Sequence, residues 1–158
     1  FRAPVGEANV VKKMKEVDAV IGGEGSGGVI LPQTVFGRDA LTGTAILLQH
    51  LVEYGGKMSG LKKSLPQYFI VKKKIELVPV PEGTAPRNPD DVIKKIVERY
   101  KSEKINLEDG LRIDFDDHWV HFRKSNTEPI IRCIVEAKTK ENAESLAEKY
   151  VGEIFSLG

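Results

Sequence analysis

The spacing of apolar residues changes near residues 65–67, and this change constrains the fold more than any other feature. Before it, residues 39–53 predict a helix that Asp39 caps and Gly55-Gly56 ends. After it, Leu111–Phe115 and Trp119–Phe122 alternate apolar and polar residues, which predicts a β-hairpin. We therefore expect two domains, residues 1–66 and 67–158.

Helices and strands can be predicted on both sides of this boundary. The predicted class is α/β for the first domain and, for the second, an antiparallel sheet packed with two helices (α+β). One apolar face of the first long helix comprises Leu41, Ala45, Leu48 and Val52. The other predicted helices cover 10–17, 58–65, a segment starting at Asn88-Pro89, and 140–156; the other strands cover 19–21, 29–31, 69–78 and 130–136.

Charge and composition exclude several classes of protein. The 158 residues carry a net charge of +1, so bulk charge favours neither nucleic acid nor an anionic membrane as a partner. No apolar run approaches the roughly 20 residues of a membrane span. Cys133 is the single cysteine, which predicts a reducing, cytoplasmic setting and a buried thiol.

The stretch AVIGGEGSGGVILP, residues 19–32, resembles a dinucleotide-binding loop because Gly23, Gly25 and Gly28 satisfy G-x-G-x-x-G. A dinucleotide site needs a helix after the loop, whereas Val-Ile-Leu-Pro follows here. A carboxylate and a hydroxyl, Glu24 and Ser26, instead suit sugar hydroxyls. The alternative is a tight connection between strands. We expect both side chains on an exposed loop, facing solvent or a cleft, since no Arg or Lys lies within five residues of Glu24.

A second polar cluster occupies residues 123–132, RKSNTEPIIR, between two predicted strands. Guanidinium, hydroxyl and amide groups together suit a phosphate dianion, since arginine binds phosphate bidentately. The alternative is a solvated turn. The predicted phosphate-binding residues are Arg123, Ser125, Asn126, Thr127 and Arg132.

Together the two clusters resemble the α-D-phosphohexomutase family. Residues 23–27 are similar to its third-domain sugar loop G-E-x-S-G, and 123–129 to its fourth-domain phosphate loop R-x-S-[GN]-T-E-P. The segment 2–6 is similar to the family's R-T-x-V-G, although Ala3 replaces the usual Thr. Gly28 stands where many members carry His. The resemblance implies a partial third domain, residues 1–66, and a C-terminal phosphate-binding domain, residues 67–158.

The resemblance also implies an activity. Phosphohexomutases interconvert hexose 1-phosphates and 6-phosphates through a bisphosphate, using a phosphoserine loop and a Mg²⁺ loop. Neither loop occurs here, so we expect no catalytic residue and no metal ligand in this chain. Mg²⁺ would belong to the full-length parent, and the chain alone should be inactive. Its partners would be a hexose phosphate and the missing N-terminal domains.

Two alternatives remain open. The chain could be a free-standing regulatory module that binds phosphosugars, or a nucleic-acid-binding sheet protein that uses the Lys72–Lys74 run and Trp119. The preferred hexose is not determined, although the loop version favours phosphoglucosamine or phosphomannose by resemblance. His50, His118 and His121 are interpreted as ordinary surface residues.

Overall fold

The computed structural model describes residues 1–77, 88–125 and 128–157. The chain divides into two compact units, Phe1–Pro66 and Gln67–Gly158. Within the described ranges, no helix has both the length and the apolar character needed to cross a membrane.

The first unit contains three helices and a two-stranded ribbon. They are α1 (Glu7–Glu16), β1 (Gly22–Gly23), β2 (Val29–Ile30), α2 (Ala40–Tyr54) and α3 (Met58–Ser64). The strands are antiparallel, with Gly22 opposite Ile30. The predicted strand over 19–21 is wrong, because pairing begins only at Gly22. In this register residue 20 would face Pro32, which has no N–H to donate.

Helix α2 begins and ends as its sequence predicts. The Asp39 carboxylate accepts hydrogen bonds from the N–H groups of Leu41 and Thr42, and Gly55 ends the helix with φ 68°. The face predicted to be apolar is nevertheless exposed: Leu41 is 83% and Val52 81% accessible. Ile46 and Leu47 make other faces of α2 apolar too. The spacing of apolar residues therefore could not show which face of the helix packs.

The second unit is an antiparallel sheet with two helices, as predicted. Its elements are β3 (Phe69–Glu76), α4 (Pro89–Arg99), β4 (Lys104–Asn106), β5 (Leu111–Asp114), β6 (His118–Lys124), β7 (Ile130–Ala137) and α5 (Lys140–Ser156). The strand order is β3-β7-β6-β5-β4, and each pair is antiparallel. The short strand β4 was not predicted. Val78, the predicted end of the 69–78 strand, lies outside the described residues.

One face of this sheet packs against α4 and α5 and forms the core of the unit. Phe122, Cys133 and Val135 point into it, where they meet Tyr150 and Ile154. Burial raises the pKa of the Cys133 thiol to about 12, so the predicted buried cysteine is confirmed and is held as an unreactive thiol. Because side chains alternate along a strand, residues of the other parity occupy the opposite face.

The prediction that His118 is a surface residue is wrong. Its side chain is 10% exposed, and it begins β6 on the core-facing parity. Its Nε2 lies 2.8 Å from the Tyr150 hydroxyl, and its ring stacks on Phe115 with centroids 4.4 Å apart. His121 lies on the opposite face, where a ring nitrogen contacts the Asp109 carbonyl. His118 therefore links the sheet to α5.

Candidate functional site

The glycine loop is a tight turn between β1 and β2, so it does connect two strands, although the first of them begins at Gly22. The Glu24 N–H donates to the Gly28 carbonyl at 3.0 Å, and the Gly27 N–H donates to the Glu24 carbonyl at 2.9 Å. Gly27 has φ 97°, a conformation that favours glycine. A Cβ at Gly23 would lie 2.5 Å from the Gly28 carbonyl oxygen. At Gly23 and Gly27 the turn itself therefore requires glycine.

Glu24 was expected to face solvent or a cleft, and the structure shows that it does not face open solvent. Its side chain is only 17% exposed, and one carboxylate oxygen lies 3.3 Å from Nη1 of Arg38. The other oxygen accepts a hydrogen bond from the Gly6 N–H at 3.2 Å. Local sequence could not show this pairing, because both partners are distant along the chain. Glu24 nevertheless lies in the turn, outside the β1–β2 ribbon.

Ser26 is exposed, as expected, and borders an open cavity of about 980 Å³ within the first unit. Arg38 and Asp39 also line this cavity, together with apolar side chains such as Leu47. The boundary thus combines a hydroxyl, a guanidinium and a carboxylate with apolar surface. Such a lining can hold the hydroxyls and the carbon skeleton of a small polar ligand.

The second cluster is built on the β6–β7 hairpin. Arg123 and Arg132 are direct partners in its register, so both side chains lie on the sheet face opposite the helices. The Ser125 N–H donates to the Ile130 carbonyl at 3.1 Å and closes the base of the loop. Arg123 is 32% exposed and Arg132 is exposed. Asn126 and Thr127 lie outside the described residues, so the structure brings together three of the five predicted ligands.

Two neighbours of this cluster were not predicted. Asp109 Oδ1 lies 3.0 Å from Nε of Arg123 and orients the guanidinium. Gly110 makes this approach possible: its φ is 82°, and a Cβ there would lie 2.3 Å from the Phe122 carbonyl oxygen. The Asp109-Gly110 dipeptide is an ordinary turn signal, and only its position beside Arg123 reveals the second role.

Lys74 extends the basic row across a third strand. In the sheet register Lys74 faces Arg132, which in turn faces Arg123. Its Nζ lies 3.4 Å from a carboxylate oxygen of Glu128, at the end of the loop. Lys124 has the opposite parity and pairs with Asp90 at 2.8 Å. The face thus carries three aligned cations beside the loop, a suitable environment for a dianion.

No metal site can be built from the residues described. Within these ranges, no group of three or more His, Cys, Asp and Glu side chains could hold a metal ion. The carboxylates near the two loops are paired instead, Glu24 with Arg38 and the Gly6 N–H, and Asp109 with Arg123. The described residues therefore do not fit a Mg²⁺ centre.

Both units match known families of domains. Residues 1–69 match the model described as phosphoglucomutase/phosphomannomutase, alpha/beta/alpha domain III. Residues 77–153 match the model described as phosphoglucomutase/phosphomannomutase, C-terminal domain.

Individual relatives agree with these matches. A probable phosphoglucosamine mutase of Pyrococcus abyssi is 37% identical over 94% of this chain and 32% of its own length. A phosphoglucomutase/phosphomannomutase of Thermococcus kodakarensis is 39% identical over 94% of this chain and 31% of its own length. A crystal structure of a phosphoglucomutase/phosphomannomutase family protein from Burkholderia thailandensis superposes with a TM-score of 0.66 at 24% identity, over 94% of this chain and 32% of that one. The chain thus spans about a third of the relatives' length.

Proposed function

The chain belongs to the phosphoglucomutase/phosphomannomutase family, and we propose that it forms the substrate-binding, C-terminal part of a phosphohexomutase. The full enzyme would interconvert hexose 1-phosphates and 6-phosphates through a bisphosphate intermediate. This part would bind the sugar hydroxyls and the phosphate that is not reacting at that moment. The relatives' threefold greater length supports an enzyme with further domains over a free-standing binding module.

The pairing of Arg123 with Arg132 is the observation that carries the proposal. Two guanidiniums on neighbouring strands leave the same face, beside a loop rich in hydroxyl and amide groups. Without a ligand this pair is mildly unfavourable even with Asp109 beside Arg123, because like charges directly opposite each other repel. A phosphate dianion removes that cost and accepts several charge-assisted hydrogen bonds. We assign Ser125, Asn126 and Thr127 to the same phosphate site.

The sugar-binding role is assigned to Glu24 and Ser26. Arg38 and the Gly6 N–H hold the Glu24 carboxylate in the turn. A carboxylate has about four acceptor positions, so some remain for sugar hydroxyls. Ser26 can both donate to and accept from a hydroxyl, and it borders the open cavity. The two side chains would fix the orientation of the sugar before and after the bisphosphate turns around.

The chemical step is assigned to the rest of the enzyme. Phosphoryl transfer needs a phosphoryl carrier and electrostatic stabilisation, and the sequence lacks the family's phosphoserine loop. The Mg²⁺ that the family resemblance implies would likewise be held outside this chain. The contribution of these 158 residues is to hold the substrate in a reactive position. We place the enzyme in the cytoplasm, which suits the single, buried and free cysteine.

We propose an amino-hexose or mannose phosphate as the preferred substrate. The names of the relatives include phosphoglucosamine mutase and phosphoglucomutase/phosphomannomutase, so glucose phosphate is the competing substrate. The test is a mutase assay of the full-length enzyme with glucosamine, mannose and glucose 1-phosphates. Arg132→Ala and Glu24→Ala should each raise the KM for every accepted substrate. Lys72→Ala removes an exposed cation from the same sheet face and serves as the control. Unchanged kinetics in both site variants would contradict the proposal.

A further inference from the structure

Arg38 joins three segments of the first unit. Its Nε lies 2.6 Å from one carboxylate oxygen of Glu7, at the start of α1. Its backbone N–H donates to the other Glu7 oxygen at 3.3 Å. Its Nη1 reaches the Glu24 carboxylate in the glycine loop, also at 3.3 Å. The guanidinium therefore connects α1 and the glycine loop to the segment that enters α2.

Gly28 makes room for this arginine. A Cβ at position 28 would lie 2.3 Å from Cδ and 2.9 Å from Cγ of Arg38. The backbone of Gly28 does not require glycine, since its φ lies outside the positive region that Gly27 occupies. Position 28 thus lacks a side chain because Arg38 occupies that space, and the turn itself does not require glycine there. Positions 28 and 38 are therefore sterically coupled.

We propose that Arg38 is a positioning residue for Glu24 in sugar binding, and that Gly28 is required because Arg38 crosses it. This inference rests on the proposed function, in which Glu24 accepts hydrogen bonds from the sugar. Arg38 and the Gly6 N–H each hold one oxygen of Glu24, so the carboxylate is oriented before the ligand arrives. Binding then loses less side-chain entropy than it would with a freely rotating glutamate.

A residue larger than glycine at position 28 would require a different loop conformation. A side chain there would displace the middle of Arg38, and the guanidinium could not keep both carboxylate partners. Lysine is a poor substitute, because a single ammonium cannot reproduce a planar fork that meets two carboxylates. The identity of residue 28 should therefore affect sugar binding through Arg38.

A double-mutant cycle in the full-length mutase tests this coupling. Arg38→Met keeps the aliphatic volume and removes the guanidinium. Because exposed ion pairs contribute little, we expect Arg38→Met to raise the KM for the hexose phosphate by only about threefold to fivefold, with kcat within about twofold. Arg38→Lys should recover part of the loss. Adding Arg38→Met to Glu24→Gln should cause no further increase, because Arg38 acts through Glu24.

Gly28→Ala provides a second route to the same conclusion. It should raise KM about as much as Arg38→Met does, yet have no added effect in the Arg38→Met background, where the flexible methionine can move away. Lys13→Ala, which breaks the exposed Lys13–Glu16 pair on α1, is the matched control and should leave KM unchanged. If Arg38→Met prevents folding, Gly28→Ala still tests the coupling. In the 158-residue chain, both Arg38→Met and Gly28→Ala should shift the Gly6 amide resonance.

The outcomes separate this inference from the proposed function. If Glu24→Gln leaves KM unchanged, the assignment of the sugar loop fails, whatever Arg38 does. If Glu24→Gln raises KM while Arg38→Met or Gly28→Ala leaves it unchanged, only the inference is overturned. Additive effects of Glu24→Gln and Arg38→Met would also overturn it, since they would show that Arg38 acts independently of Glu24.

Discussion

Arg123 on β6 lies directly opposite Arg132 on β7, and both side chains leave the face of the sheet opposite α4 and α5. Asp109 compensates the first charge at 3.0 Å, whereas Arg132 is exposed. Lys74, opposite Arg132 on the other side, adds a third positive charge to the row. This arrangement favours binding of an anion at the expense of the stability of the unliganded sheet.

Arg132→Ala should therefore separate stability from binding. Without phosphate, relief of the repulsion should raise the free energy of unfolding by up to about 0.5 kcal/mol. Affinity for inorganic phosphate should fall about tenfold or more, because a charge-assisted hydrogen bond is lost. Urea unfolding with and without phosphate measures both effects, and Lys72→Ala is the control. A variant that loses stability and binds phosphate normally would disprove the assignment.

Gly110→Ala should destabilise the sheet beside the proposed phosphate loop. The positive φ and the backbone oxygen 2.3 Å from the added Cβ leave no inexpensive adjustment. We expect a loss of about 2 kcal/mol or more in urea unfolding, together with displacement of Asp109 from Arg123. Gly152→Ala on α5 is the matched control, since its Cβ meets nothing within 4 Å. Equal stability of the two variants would be inconsistent with this geometry.

Asp39 should make the start of α2 sensitive to acid. Hydrogen bonds from the Thr42 hydroxyl and from the Thr42 and Leu41 N–H groups lower the pKa of the Asp39 carboxyl. A lowered pKa in the folded state means that its stabilisation is present above the ordinary pKa and is lost as pH falls through the folded value. Asp39→Asn keeps a cap that does not titrate.

The comparison is hydrogen exchange in the first turn of α2 for both proteins at matched pH. The extra protection of wild type over Asp39→Asn should be constant near neutrality and should shrink below about pH 4. An advantage that grows on acidification would show that the Asp39 charge does not stabilise the cap.

The isolated 158-residue chain should have no mutase activity on any hexose phosphate, with or without Mg²⁺. The reason is that its sequence contains no phosphoserine loop and no magnesium loop of the family. The full-length enzyme, assayed in parallel, is the positive control. Turnover by the purified chain, shown to be free of host mutase, would contradict this expectation.

The sequence could predict those helices and strands whose caps and turns are formed by residues close together along the chain. Asn88 caps α4 with Pro89 at its first position, and Oδ1 of Asn88 accepts from the Asp90 N–H at 2.9 Å. Thr139 likewise caps α5. The alternation of apolar and polar residues predicts the two strands that carry Arg123 and Arg132. A short loop between antiparallel strands then brings the flanking residues together.

Other features depend on contacts between distant residues. The pairing of Glu24 with Arg38 joins a turn to a helix entry, and no local pattern encodes it. His118 could be placed in the core only once the parity of β6 was known. The packed face of α2 could not be chosen because several of its faces are apolar. Boundaries and motifs were thus predictable, whereas the partners that orient the motifs were not.

The most direct test of the central claim is a backbone-amide NMR titration of the chain with a hexose 6-phosphate, with the unphosphorylated hexose as control. We expect weak, saturable shifts centred on Arg123, Ser125 and Arg132 with the phosphorylated ligand only. In the Arg132→Ala variant, the affinity obtained from the titration should be about tenfold lower. Shifts of equal size with the free hexose, shifts confined to other regions, or a titration unchanged by Arg132→Ala would contradict the assignment of this loop as a phosphate site.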